Sequence, residues 1–272
     1  MSQPEKISGR QESGAPESTP NTQLSRIRRK KTAAGASVIG ALVLGLIVYF
    51  LAGGPLWSAG ADAPAPTLKA AIVDQLSLTV PSPEFTSSAR SMLEEAGYEV
   101  YYYPGEQVTV DFYRSLPTHG FDLILLRVHS GYDPSVDAVG LFTGEPYVEG
   151  KYPGQGVGFT AYYEGAPPLF GIGPRFIEST MEGKFDGTTI VMMGCDGLTS
   201  IATAEAFVQK GAASVVSWDG QVLASHTDLA TEQLLQYLLS DGLSMPEAVR
   251  LTMSEVGPDP SFNSKLLLHQ AQ

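Results

Sequence analysis

The chain has 272 residues, 43% of them apolar, which is enough for one large domain or two small ones with a substantial core. Its 17 basic and 29 acidic residues give a formal net charge of −12, an excess of acid that argues against nucleic acid as a partner. One cysteine, Cys195, excludes an intramolecular disulfide.

Charge divides unevenly along the chain. Residues 1–32 carry seven basic and three acidic side chains, whereas residues 33–272 carry ten and 26, a net of −16. An acidic surface of this kind keeps a domain soluble; it also suits a high-salt exterior or basic substrates. Residues 1–25 are rich in Ser, Gln, Pro and Glu without apolar periodicity, so 1–32 read as a disordered tail. Residues 33–52 hold no charged side chain, and as a helix rising about 1.5 Å per residue they would span the roughly 30 Å hydrocarbon layer. Arg26, Arg28, Arg29, Lys30 and Lys31 precede this stretch and no Lys or Arg follows in 53–58, which puts the tail in the cytoplasm and the remainder outside the cell membrane. A cleaved signal peptide is the competing reading, because small residues follow at Ala52 and Ser58 to Ala61; the apolar stretch exceeds the 7–15 residues of a signal core. Residues 53–66, ending Ala61-Asp62-Ala63-Pro64-Ala65-Pro66, read as a short stiff linker.

From residue 67 strands and helices alternate. A strand is expected at 68–73, then a helix at 83–96, where Phe85, Ala89, Met92, Leu93 and Ala96 share one face and Gly97 ends it. A strand at 99–103, a short helix at 108–116 and a strand at 123–128 follow. Two β-prone segments, 140–143 and 157–162, read as a hairpin; then come a helix at 174–181, a strand at 188–193, a helix at 200–210, a strand at 213–218 and helices at 223–240 and 245–256. The alternation predicts an α/β domain over 67–272 whose mainly parallel sheet has helices on its faces.

Two of the apolar strands end on residues with chemistry. Phe121 to Val128 runs into His129-Ser130-Gly131, and Thr189 to Met193 runs into Gly194-Cys195-Asp196-Gly197. In open α/β sheets reactive groups collect at the carboxyl ends of strands. A thiolate nucleophile with an imidazole in reach to carry its proton is the combination that thiol chemistry needs. The alternative for a lone cysteine is a buried, inert thiol. Asp196, beside the thiol, would line the pocket or raise the thiol pKa. His226 is more simply a pocket-rim or solvent-facing residue, and His119 and His269 have no neighbours that suggest chemistry. One Cys and four scattered His lack zinc-site spacing. Asp133, Asp137, Glu145 and Glu149 are a candidate Ca²⁺ set in the loop after His129, against the commoner reading as solvated loop acids. Gly154, Gly156 and Gly158 form no phosphate loop, since neither a feeding strand nor a Lys-Ser/Thr pair accompanies them.

The order strand–His129, hairpin, helix, strand–Cys195, helix, and then a strand ending Ser217-Trp218-Asp219-Gly220 resembles the caspase-like cysteine peptidases, the group of caspases, legumains, gingipains, clostripain and CHAT domains. The resemblance covers about residues 67–256 and implies a three-layer α/β/α sandwich. It makes His129 the general base and acid and Cys195 the nucleophile, with the N–H groups of Cys195 and of Ser130 or Gly131 as oxyanion donors. His-Ser-Gly replaces the family's usual His-Gly, moving the glycine by one residue. Caspases carry Ser-Trp-Arg in the strand that lines the specificity pocket; this chain has Ser217-Trp218-Asp219, which implies a cation, Arg or Lys, before the scissile bond. Asp219-Gly220 also reads simply as a turn.

The expected function is thus a single-pass, outward-facing cysteine endopeptidase acting on proteins or peptides without a cofactor. A caspase-like domain without activity, serving as a membrane-tethered binding or scaffolding module, is the alternative that the displaced glycine supports. A small-molecule sensor on a doubly wound sheet is a third. Oligomeric state and any zymogen cleavage between His129 and Cys195 are open at this point.

Overall fold

A computed structural model describes residues 67–161 and 167–271. The expected tail, membrane anchor and linker lie outside the described residues, and among the described ones no helix is long and apolar enough to cross a membrane.

Among the described residues ten strands and six α-helices follow in chain order: β1 Lys69–Asp74, α1 Pro83–Glu95, β2 Glu99–Pro104, α2 Val110–Ser115, β3 Leu123–Arg127, β4 Ser130–Asp133, β5 Ala138–Pro146, β6 Phe159–Ala161, β7 Leu169–Ile172, α3 Pro174–Ser179, β8 Thr189–Met192, α4 Ala202–Gln209, β9 Ser214–Trp218, α5 Ala224–Leu235, α6 Met245–Glu255 and β10 Leu266–Gln270. The larger sheet has the order β2-β1-β3-β8-β9-β10, all parallel except β10. Its central strands are near-continuous apolar runs, as strands covered on both faces require. Ala71, Val73, Ile124, Leu126, Ile190 and Met192 point to the face where Tyr113 of α2, Phe176 of α3 and Phe207 of α4 pack. Ala70, Ile72, Leu123, Leu125 and Val191 point to the opposite face, against Phe85 and Leu93 of α1, Leu234 of α5 and Val249 of α6. Helices therefore cover the sheet on both sides, an α/β architecture in three layers.

Local signals explain where the helices begin and end. Ser82 caps α1 by accepting the Phe85 N–H, Pro83 occupies the first turn, and Gly97 takes φ +89° just past the end. Thr109 does the same for α2 through the Phe112 N–H at 3.1 Å. The expected single helix over 223–240 is α5 followed by a π turn at Gln236–Ser240.

The insertion between β3 and α3 departs from the expected hairpin. It is a four-stranded antiparallel sheet, β4-β5-β7-β6, in which β5 and β6 both pair with β7 rather than with each other. Thr203 of α4 fixes it to the domain by bonding both the N–H and the C=O of Val139. Strand β10 is a second unexpected element: its Leu-Leu-Leu-His-Gln runs antiparallel along β9 at the sheet edge.

Candidate active site

Strands β3 and β8 are parallel neighbours, with Leu126 opposite Met192 and the Met193 N–H bonded to the Leu126 carbonyl at 2.9 Å. Carrying that register on past the strand ends sets His129 opposite Cys195, and both residues line one cavity of about 240 Å³. The two chains are clasped just there. Ser130 Oγ donates to the Cys195 carbonyl at 2.6 Å. Gly194 has no alternative: a Cβ at that position would overlap Ser130 Oγ and the Val128 carbonyl oxygen. Gly197 is constrained likewise by the Ser217 hydroxyl. Between them Asp196 adopts φ +62°, a left-handed conformation that Asp tolerates better than most residues. Its N–H bonds the Gly220 carbonyl and its side chain accepts from Thr199 Oγ1, so the turn after Cys195 is tied to the end of β9.

His129 is held on several sides. Its N–H donates to Gln75 Oε1 at 2.9 Å, its carbonyl accepts the Phe142 N–H, and its Nε2 lies 3.0 Å from Thr79 Oγ1. Its ring packs against that of Phe142 at 5.7 Å. Burial, together with the charge of Arg127, holds the imidazole below its ordinary value of 6.5. The Cys195 thiol faces the Val222 carbonyl oxygen at 3.7 Å. Burial, aided by the carboxylates of Asp196 and Asp259, pushes it above its ordinary 9.0. At neutral pH both groups are therefore uncharged. A neutral thiol with a neutral imidazole in reach can give up its proton to the imidazole as sulfur attacks, without a preformed ion pair.

The β4–β5 ladder shows which of the N–H groups after His129 are already engaged. Hydrogen-bonded and non-hydrogen-bonded pairs alternate in antiparallel sheets. The His129–Phe142 pair is bonded, so Ser130–Leu141 is not and Gly131–Gly140 is again. The Gly131 N–H thus belongs to the ladder. The Ser130 N–H points out from β4, an edge strand of its sheet. Among the described residues the Cys195 N–H has no acceptor either. Of the Ser130, Gly131 and Cys195 N–H groups, those of Ser130 and Cys195 are thus outside the ladder.

The three residues after β9's apolar run do not join this cavity. Ser217 is buried and its hydroxyl donates to the Met192 carbonyl; Trp218 is buried and its indole N–H donates to Thr227 Oγ1 at 2.9 Å. Asp219 is exposed, and its carboxylate accepts the Lys265 N–H at 2.7 Å while its own N–H bonds the Lys265 carbonyl. It lies just past the Trp218–Leu266 end of the β9–β10 ladder and is not among the residues that line the cavity.

Other candidates have structural occupations. His226 Nε2 meets the Gly257 carbonyl and its ring packs on Trp218. His119 lies among Tyr103, Phe112 and Phe121, and His269 pairs with Glu205. Asp133 caps Ser135, Asp137 accepts from Tyr132, and Glu145 takes the Val110 N–H, Lys151 and Tyr152. Among the described residues no group of three or more His, Cys, Asp or Glu is arranged to hold a metal ion.

Several residues that shape the site escape a reading of motifs. Arg127 ends β3 fully buried: its guanidinium bonds Asp228 through two nitrogens at 2.8 and 3.0 Å, Asp74 at 2.8 Å and the Val80 carbonyl at 2.9 Å. It thereby joins the end of β1, the loop that carries Thr79 and Val80, and α5. Asp259, also buried, accepts the N–H groups of Leu223, Ser261 and Phe262; burial alone would raise its pKa, but these three donors hold it below the ordinary value. The sequence signal for Arg127 is its position, a lone cation inside an apolar strand that only a buried partner allows. Gln75, Thr79 and Asp259 lie in irregular segments and carry no such signal.

No protein family matches the chain, and no curated protein does. Solved structures similar to it include protein GSU0716 from Geobacter sulfurreducens, a structural-genomics target, at 12% identity over 75% of this chain and 94% of that one, with a TM-score of 0.37.

Proposed function

We propose that the chain is a caspase-like cysteine endopeptidase, carried on the outer face of the cell membrane by a helix at residues 33–52. The observation that carries this reading is the convergence of His129 and Cys195, from the ends of adjacent parallel strands, on one cavity. The succession β3–His129, antiparallel insertion, α3, β8–Cys195, α4 and β9 follows the order on which the sequence resemblance rests. A peptide bond seated across the cavity would be attacked at its carbonyl carbon by Cys195 Sγ while His129 accepts the thiol proton. The oxyanion would receive the N–H groups of Cys195 and of Ser130, which follows His129 where the family has glycine. Imidazolium then protonates the amine, which departs as the thioester forms, and water, activated by the same imidazole, hydrolyses the thioester to free the acid and restore the thiol.

The test is hydrolysis of a fluorogenic peptide panel by the full chain in detergent, beside Cys195→Ala and His129→Ala. Turnover abolished by the first and lowered about 10²–10⁴-fold by the second supports the dyad. Turnover indifferent to both substitutions overturns the dyad, and turnover absent from every peptide favours a binding module in its place.

A further inference from the structure

We propose that the cavity beside Cys195 receives the side chain of the residue whose carbonyl is attacked, and that it selects an uncharged apolar side chain such as leucine, methionine or phenylalanine. This rests on the peptidase reading and specifies its substrate class. Apart from the two reacting residues, the walls are Leu76 and Val80 from the loop after β1, Val128 and Met193 from the strand ends, and Val222 and Phe262 from the loops around α5 and before β10. Gln221 and Thr227 supply its remaining polar groups, and the Thr227 hydroxyl already accepts the Trp218 indole.

Among the described residues no carboxylate lines the space. The nearby acids are hydrogen-bonded elsewhere: Asp74 and Asp228 to Arg127, Asp196 to the Thr199 hydroxyl, Asp259 to three backbone N–H groups, and Asp219 to that of Lys265. A guanidinium or carboxylate entering here would lose water without gaining a partner, which is the condition under which a charged group is rejected. Size points the same way. At about 240 Å³ the cavity falls below the roughly 300–1,000 Å³ of pockets that enclose whole small-molecule ligands, and suits one side chain. The mouth is apolar as well: Val80, Leu223 and Phe262 keep 44%, 38% and 48% of their surface exposed around it.

Peptidyl chloromethyl ketones ending in Leu, Phe, Arg or Asp test the pocket on the full chain in detergent, with iodoacetamide as the reagent that carries no side chain. In each case Sγ forms a bond to the methylene carbon as the halide leaves, and peptide mapping by mass spectrometry reads the rate at Cys195. The Leu and Phe reagents are expected to label at least about tenfold faster than Arg and Asp. Leu223→Glu, a rim change at the N-terminal end of α5 where a carboxylate is tolerated, is expected to raise the Arg rate relative to Leu by a similar factor. Equal rates for the four reagents overturn the pocket; an Arg preference in the unmodified chain overturns it in favour of Asp219. Failure of the peptidase reading looks different: iodoacetamide labelling of Cys195 that does not change in His129→Ala, whatever the order among the peptidyl reagents.

Discussion

At His129 and Cys195, burial moves the two pKa values apart, the imidazole down from 6.5 and the thiol up from 9.0. If the proposed peptidase works through the neutral pair, the acid limb of kcat/KM is expected below pH 6.5, with activity where an unperturbed histidine would already be half protonated. An acid limb at or above 6.5 counts against His129 as the base. The same shift has a stability sign. In the unfolded chain histidine binds its proton at 6.5, in the folded chain only at lower pH, so His129 lowers stability as pH falls from 6.5 toward the folded value. Thermal unfolding followed across that window should show a slope that His129→Gln reduces. Gly194 is a backbone case. Gly194→Ala sets a methyl group against Ser130 and Val128, and a loss of about 1–3 kcal/mol is expected in chemical unfolding, with slower alkylation of Cys195 by iodoacetamide. The positions of His129 and Cys195 at adjacent strand ends are readable from sequence because each follows an apolar run that reads as a buried strand. The Gln75 and Thr79 contacts to His129 are not, because they come from a 3-10 turn and loop after β1 whose path depends on Arg127.

Among the elements, the parallel sheet is legible and the inserted sheet is not, and the difference is physical. Strands β1, β3, β8 and β9 are buried on both faces and spell continuous Val, Ile, Leu and Ala runs. Strand β4 is Ser-Gly-Tyr-Asp, which has the composition of a turn, and β7 has four residues, Leu-Phe-Gly-Ile, too few to display a period. Without β7 to separate them, β5 and β6 read as partners. Strand β10 is missed for the opposite reason: three successive leucines on a half-exposed edge carry no alternation. The inserted sheet has its own testable core. Leu141 is fully buried between β4 and β7 register partners, and Leu141→Ala is expected to cost about 2–5 kcal/mol in urea unfolding, while displacing Ser130 enough to slow Cys195 labelling. Unchanged stability would mean that the insertion packs less tightly than its burial indicates.

Across the whole molecule, the buried Arg127 cluster joins both faces of the site to the sheet. It links β1 through Asp74, α5 through Asp228 and the Thr79–Val80 loop through a carbonyl, and removal of one partner strands the others without solvent. Arg127→Ala is therefore expected to destabilise the domain by about 3–5 kcal/mol, whereas Arg127→Met together with Asp74→Asn and Asp228→Asn should recover much of the loss. Equal losses in the single and triple variants would assign the cost to packing volume rather than to unpaired charge. The presence of a charge in β3 is visible in the sequence. Its partners, 53 and 101 residues away along the chain, are not, since nothing local specifies contacts at that separation.

The central claim is that Cys195, assisted by His129, forms a covalent acyl-enzyme. Its most direct measurement is intact-mass analysis of the full chain, acid-quenched at short times after mixing with a peptide ester ending in leucine. The account predicts an added acyl mass on Cys195 that decays as free acid appears, and that is absent in Cys195→Ala and strongly reduced in His129→Ala. Product formed with no mass on Cys195, or the same adduct in both His129 forms, would contradict it.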